Sequence, residues 1–335
     1  MKPLALNTKE DDHLLDHIAP LADLLKCPLL ITEEFCYEIA KKFYPQVELH
    51  YVPDLEFRLG EIATHYDTLF ECKYWQPHLK ELFKTLYQKE MRLVFCPHGQ
   101  SDKGYSSPLL EPYASQDFVL VYGPLMLKML EEMNIQVPEY QMIGNYRLLF
   151  YQKHRTFYDS FLPELDRKKL TVLYAPTWED LEDSSSFFQW GEKVLSGLHE
   201  HCNLLIKPHP LLKQRRPAEY EKISFQMNKR GALLLEEFPP VYPVLSLVDV
   251  YLGDASSIGY DFLFFEKPMH FFPPRALRRL HSCGSIVDPH RDLYEQIQKD
   301  NLFQKEQKEL YEEAFYTGSK KNLDHSDWGG RTKRV

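Results

Sequence analysis

The 335-residue sequence has no apolar run approaching 18 residues, which argues against a helix that crosses a bilayer. It also has no Cys-x-x-C pair. Its six cysteines, Cys27, Cys36, Cys72, Cys96, Cys202 and Cys283, are scattered, a spacing that supports neither a zinc site nor a disulfide framework. Four of them (Cys27, Cys72, Cys96 and Cys202) lie in or beside apolar runs, where a thiol behaves as a small buried hydrophobe. An excess of positive charge is missing too. Forty Lys and Arg against 49 Asp and Glu leave a formal charge of −9, which argues against nucleic acid as a partner held by overall attraction. The opening MKPLALNTKEDD lacks the basic and then apolar run of a signal peptide, and no internal repeat or low-complexity segment is present. These absences point to a soluble protein of the reducing cytoplasm, with peripheral contact at the inner face of the membrane left open.

What is present is alternation. Leu29–Thr32, Val47–Val52, Thr68–Cys72, Arg92–Cys96 and Phe118–Tyr122 read as strands, and they are apolar without clean alternation, as parallel strands covered on both faces are. Helical stretches fall between them at Glu33–Phe43, Leu55–His65, Pro77–Gln88 and Pro124–Met133. After a long stretch at Arg147–Leu162 that reads as helix, the pattern restarts. Leu170–Ala175, Asn203–Lys207, Ala232–Leu235, Val248–Leu252 and Met269–Phe272 read as strands, with helices near Phe187–His199, Pro217–Lys229, Ser256–Phe264 and Leu293–Lys299. Alternating strands and helices predict βαβ units, and two successive sets predict two parallel sheets. The expectation is two Rossmann-like α/β domains facing a cleft: 1–150, 151–310, and a tail at 311–335 that packs back on the N-terminal domain. The polar run Glu179–Ser186 reads as a mobile loop.

In such sheets ligands bind at the carboxyl ends of the strands, where loops enter helix N-termini. Four of these loops carry distinctive residues. Gly253–Phe262 (GDASSIGYDF) offers Ser256 and Ser257 at a helix start, where unpaired N–H groups and a partial positive charge suit phosphate; Asp261, one turn on, can accept from ribose hydroxyls. An ordinary capped helix explains the serines equally well. Lys207–Pro210 (KPHP) brackets His209 with two prolines, placing a donor for a phosphate oxygen at a strand end. Cys96–Gly104 (CPHGQSDKG) holds His98, a residue type that can act as general base on a hydroxyl, with Lys103 five residues beyond. Tyr174–Trp178 (YAPTW) adds the hydroxyl of Thr177. Each loop alone also reads as a polar turn, and Trp178 reads as packing.

The order of these motifs resembles the CDP-glycerol:poly(glycerophosphate) glycerophosphotransferase family of teichoic-acid-type polymer synthesis, over roughly residues 90 to 275. The resemblance implies the GT-B architecture, with an N-terminal acceptor domain and a C-terminal nucleotide-donor domain. It implies that His98 is the catalytic histidine on the acceptor side and that His209 contacts the donor diphosphate. Ser256 and Ser257 would bind phosphate, Asp261 would hold the ribose, and Lys207 and Thr177 would complete the donor side. The histidine loop reads HGQSDK where the family commonly has HGTPLK, and Gly144–Leu149 (GNYRLL) keeps only the Gly and Arg of a GxPRxD-like segment.

His13 and His17 fall one turn apart on an expected helix, a spacing that can hold a metal although no third ligand is visible. A helix lining the acceptor side is the alternative, with His17 or Asp16 a rival to His98 as base. The leading expectation is a transferase that moves a phosphoalditol or sugar group from a CDP- or UDP-linked donor to a hydroxyl acceptor, lipid-linked or free, in cell-envelope polymer synthesis. The alternatives are a GT-B glycosyltransferase or UDP-sugar 2-epimerase-like enzyme, and a non-catalytic nucleotide-sugar binding protein. No metal and no tightly bound cofactor is expected, with Mg²⁺ able to accompany the diphosphate.

Overall fold

The computed structural model describes residues 1–8, 11–76, 78–102, 110–180 and 184–316. The chain divides into two compact units. Unit 1 holds 1–99, 105–155 and 312–335, and unit 2 holds 100–104 and 156–311. The passage between them therefore falls at residues 155/156, and among the described residues 312–316 return to unit 1.

Unit 1 is built on seven parallel strands: β1 (Pro3–Asn7), β2 (Leu29–Ile31), β3 (Leu49–Tyr51), β4 (Thr68–Glu71), β5 (Arg92–Phe95), β6 (Phe118–Val121) and β7 (Tyr140–Met142). Their order is β3-β2-β1-β4-β5-β6-β7. In unit 2, β8 (Thr171–Ala175), β9 (Asn203–Ile206), β10 (Leu233–Leu234), β11 (Val250–Gly253), β12 (Met269–Phe271) and β13 (Ser285–Ile286) run in the order β10-β9-β8-β11-β12-β13, again all parallel. Both are doubly wound sheets whose order reverses at the first strand, between β1 and β4 and between β8 and β11. Crevices for ligands open at the carboxyl side of such reversals. The two parallel α/β units expected from the alternation are thus present.

The central strands are buried along their whole length, β8 and β11 without exception, because helices cover both faces. Edge strand β3, by contrast, exposes His50 and Tyr51. The core of unit 2 gathers Val172, Tyr174, Leu204, Ile206, Val250 and Leu252 from the sheet against Phe187, Val194, Leu195 and Met227 from the helices Phe187–Leu198 and Pro217–Lys229. The six cysteines are free and buried, Cys36 and Cys283 as well as the four in apolar runs. Burial pushes the Cys27, Cys36 and Cys283 thiols up to about 12, so they pack as hydrophobes and are poor nucleophiles.

Some elements differ from the sequence pattern. Strand β1 was hidden in PLALN, a run of five that opens on proline and closes on asparagine. The stretch read as one helix at Arg147–Leu162 is two, Tyr146–Lys153 and Arg155–Asp159, separated by the non-helical His154. Leu55–His65 begins as a 3-10 turn, Leu55–Arg58, before the α-helix Leu59–His65. In the polar run expected to be mobile, residues 181–183 lie outside the described residues, and Ser184 and Ser186 are hydrogen-bonded to Asp180 and Asp254. No helix among the described residues is long and apolar enough to cross a membrane.

Candidate active site

In unit 2 three of the singled-out loops leave adjacent strands. The register pairs Ala175 with Gly253 and Tyr174 with Ile206, so the ends of β9, β8 and β11 stand side by side, about 5 Å from one strand to the next. Gly253 is required there. A Cβ at that position would meet the Ala175 carbonyl oxygen at 2.5 Å. Just beyond, the buried Asp254 pins the loops together. Its Oδ2 accepts from the backbone N–H of Thr177 at 2.9 Å and of Ser186 at 3.0 Å. Tyr251 donates to the Asp254 carbonyl at 2.8 Å, which fixes the loop from beneath. Leaving such buried N–H groups without an acceptor costs about 1–3 kcal/mol each, so Asp254 is the keystone of this edge.

The helix Ser257–Phe262 starts at Ser256, whose side chain does not cap it and lies 3.3 Å from the Tyr251 hydroxyl. The Ser257 hydroxyl is half-buried and makes no hydrogen bond among the described residues. His209 is the N-cap of the helix Pro210–Arg215, and its Nδ1 accepts from the Leu211 N–H at 3.2 Å. A ring nitrogen that accepts carries no proton, so this bond holds the imidazole neutral with its hydrogen on Nε2. That leaves the Nε2–H of His209 as the ring group able to donate.

The other anticipated donor-side residues are placed differently. Thr177 is only 1% exposed, so its hydroxyl lies in the interior while its N–H is spent on Asp254. Asp261 is 3% exposed and accepts from the Tyr242 hydroxyl at 2.8 Å. A carboxylate so enclosed braces the helix Val241–Leu247 against its own helix and does not offer itself to a ribose. Lys207 donates to the Leu235 carbonyl at 3.1 Å, which secures the β9–β10 edge. Each of the three polar residues thus hydrogen-bonds within the scaffold of unit 2.

Sequence reading also passed over an arginine-lined pocket of about 350 Å³ that begins at Asp254 and Ala255 and is walled by Trp190, Arg216, Arg275 and Arg278. Arg275 and Arg278 come from PPRALRR, a run that reads as a bare loop. Arg216 is paired with Glu179 at 2.8 Å and also with Glu219. A pocket beside a helix start and edged by guanidinium groups suits a multiply charged phosphate ligand.

In unit 1 the carboxyl edge at the β1–β4 reversal opens into a pocket of about 680 Å³. Polar groups, Thr8, Asp11, Glu71, Lys73 and His98, stand together there, and apolar side chains such as Leu59, Ile62, Leu79, Phe83 and Trp75 form the rest. His98 follows β5 at Pro97 and precedes Gly99, whose φ of +110° is a left-handed turn that glycine takes without strain. The His98 side chain is exposed to the open pocket, although the protein atoms packed around it still desolvate the ring in part. Burial lowers its pKa, opposed by the Cys72 backbone and Asp11 and reinforced by Lys73. A neutral imidazole at neutral pH is the form a general base needs.

His13 and His17 do lie near His98, with ring centroids 6.1 and 6.3 Å away. Among the described residues no group of three or more His, Cys, Asp and Glu side chains is placed to hold a metal ion. His17 is 7% exposed, and its Nδ1 lies 2.9 Å from the Tyr122 hydroxyl. Burial, then Arg147, His98 and His13, hold its pKa well below the usual value. Asp16 is enclosed with Arg147 in a buried ion pair, with the Arg147 Nε also donating to the Asp16 carbonyl at 3.0 Å and Tyr44 donating to Asp16 Oδ1 at 3.1 Å. Asp16 is thereby corrected from rival base to structural anion, and the Arg retained from the family's segment is its counterion. Lys103 lies outside the described residues.

Two doubly wound parallel units, each with candidate residues at the carboxyl edge of its sheet, define a GT-B-like fold. Solved structures agree. The Wall Teichoic Acid Polymerase TagF matches with a TM-score of 0.64 at 13% identity, covering 96% of this chain and 86% of that one. UDP-GlcNAc 2-epimerase from Neisseria meningitidis, bound to UDP-GlcNAc, matches with a TM-score of 0.62 at 13% identity over 94% of both chains. Likeness at that identity speaks for the fold. The model of the family CDP-Glycerol:Poly(glycerophosphate) glycerophosphotransferase matches residues 112–277, a little under half of the chain. Two curated proteins are similar to part of it. A teichoic acid glycerol-phosphate primase of Bacillus spizizenii is 29% identical over 110 residues, or 32% of this chain and 27% of that protein. The teichoic acid ribitol-phosphate polymerase TarL of Staphylococcus aureus is 26% identical over 116 residues, or 33% of this chain and 19% of that protein. The chain thus matches about a quarter or less of the length of these relatives. The matched family segment contains His209, Ser256 and Ser257; His98 precedes it.

Proposed function

We propose that the chain is a glycerophosphotransferase that moves a glycerophosphate-like group from a CDP-linked donor to a hydroxyl acceptor in cell-envelope polymer synthesis. The observation that carries this reading is that His209, Ser256 and Ser257 follow the adjacent strands β9 and β11 either side of β8, in the segment matched by the family model, and that Asp254 and Ala255 of the serine loop line an arginine-edged pocket. The donor diphosphate would take hydrogen bonds from the His209 Nε2–H, from the Ser257 hydroxyl and from the helix start at Ser256, with Arg275 and Arg278 offsetting its charge. His98 takes the proton of the acceptor hydroxyl as that oxygen bonds to the β-phosphorus. The bond from this phosphorus to the bridging oxygen breaks, and CMP leaves with the electron pair. General-base help of this kind contributes about 10²- to 10⁴-fold in rate.

Support for the donor also comes from a TagF variant solved after a soak with CDPG. The apolar walls of the unit 1 pocket suit an acceptor whose hydroxyl end is joined to an apolar group, in keeping with a lipid-linked acceptor and a cytoplasmic, membrane-peripheral location. Mg²⁺, if it takes part, rides on the donor diphosphate.

Thermal stabilisation by CDP, UDP, GDP and ADP tests the donor site. A ligand at about 100 times its Kd adds about 2.7 kcal/mol, about 5–10 °C for units of this size. CDP is expected to give that shift, and Ser257→Ala to diminish it. A response to UDP alone would favour a UDP-sugar enzyme on the same fold, and no response to any of the four would remove the proposal.

A further inference from the structure

The hydrogen-bond network behind His98 converges on Tyr122, the residue after β6, whose ring is 1% exposed. Its hydroxyl donates to the Pro97 carbonyl at 3.1 Å, and Pro97 immediately precedes His98. The same oxygen lies 2.9 Å from His17 Nδ1. A phenol has one proton, and a carbonyl can only accept. With that proton given to Pro97, His17 Nδ1 must be the donor, so the lone pair of the His17 ring sits on Nε2. Tyr146 stacks on Tyr122 with centroids 5.8 Å apart and the planes 8° from parallel, and its hydroxyl donates to the His17 carbonyl at 3.1 Å. The Tyr122 main chain is fixed as well. Its carbonyl accepts from Gly144 N–H at 3.1 Å and from Tyr316 N–H at 2.9 Å, and Phe315 packs edge-on against its ring.

We propose that Tyr122 is a positioning residue for His98: through its hydroxyl it fixes the Pro97 carbonyl, and with it the path of the chain into His98, while setting the tautomer of His17. The inference rests on the reading of His98 as the base, and Tyr122 touches no reacting atom. The charged and titratable groups facing His98 are Asp11, Lys73, His13 and His17. Tyr122→Phe keeps the ring and removes only the bridge. A displacement of an ångström at a reacting group is enough to cost about 10²-fold in rate.

The test begins with the unaltered protein. Nitrogen-15 NMR of the His17 ring is expected to show the proton on Nδ1; a proton on Nε2 alone would overturn the proposal without any variant. Next, the His98 ring signal, assigned with His98→Gln, is titrated in wild type, Tyr122→Phe and Tyr146→Phe. Tyr122→Phe is expected to move the His98 midpoint up toward that of free imidazole and to lower kcat about 10- to 100-fold with donor KM within about twofold. Tyr146→Phe, which leaves the Pro97 bond intact, is expected to move the midpoint less. Equal shifts in both variants, or none in Tyr122→Phe, would overturn the assignment. The two readings remain distinguishable, because a His98→Gln enzyme that still turns over rejects His98 as base whereas the titration reports on Tyr122 alone.

Discussion

At the carboxyl edge of unit 1 the polar groups are kept neutral or internally paired. His17 and His98 are pushed toward the uncharged imidazole by desolvation, the enclosed carboxylate of Asp16 is matched by Arg147, and the buried Glu71 accepts from the Thr8 hydroxyl. At the corresponding edge of unit 2 the inventory is cationic and donor-rich, with Arg216, Arg275 and Arg278 around a pocket that starts two residues before Ser256. The sheets have the same order at their reversals, so the contrast lies in the loops. An edge meant to accept a proton gains from desolvated imidazole, because a charged one has no lone pair to give. An edge meant to hold a diphosphate gains from fixed cations and unpaired N–H groups. Similar scaffolds thus carry loops of different charge.

The largest effect that would sharpen this contrast is expected from Arg147→Met. It leaves Asp16 buried without its counterion, a change that costs about 3–5 kcal/mol. Urea unfolding should show that loss, and Arg147→Met combined with Asp16→Leu should recover most of it. Similar stability for the single and double variants would mean that the pair is not enclosed as described.

A somewhat smaller effect is expected from pH, and it reaches unit 2 through His270 on β12. That ring is 3% exposed, and burial pushes its pKa down to about 4. The folded form then binds fewer protons than the unfolded form, whose His titrates near 6.5. The stability from a neutral His270 is therefore complete above about pH 6.5 and drains away as pH falls, reaching about 3 kcal/mol of loss near pH 4. His17 acts with the same sign in unit 1. His270→Leu should flatten the fall in urea midpoint between pH 7 and pH 4.5, whatever its effect at pH 7. An unchanged slope would assign the acid sensitivity to other groups.

Much of this was legible in the chain. Apolar runs without alternation announced parallel strands, and motifs at their ends announced where to look. His209 and Ser257 sit where that logic placed them. What stayed hidden has a common physical cause. Asp16 and Arg147 are 131 residues apart, and nothing local in either marks them as partners. Thr177 and Asp261 have the chemistry of ligand-binding residues, but chemistry does not tell which way a side chain points, and the fold turned both inward. Tyrosines presented the same problem. Tyr122, Tyr242 and Tyr251 look like core aromatics in sequence, yet each buried hydroxyl had to find a partner, and those partners are Pro97, Asp261 and Asp254 in the functional loops. Strands as short as β13, with two residues, have no periodicity to read.

In the proposed reaction the donor is held by unit 2 while His98 of unit 1 supplies the base. The most direct measurement pairs CMP release from CDP-glycerol, with and without a hydroxyl acceptor, with CDP-glycerol affinity, in wild type and in His98→Ala. The account predicts acceptor-dependent release that falls about 10²- to 10⁴-fold in His98→Ala, with donor affinity unchanged. Turnover within about threefold of wild type, far short of a general base's contribution, would contradict it.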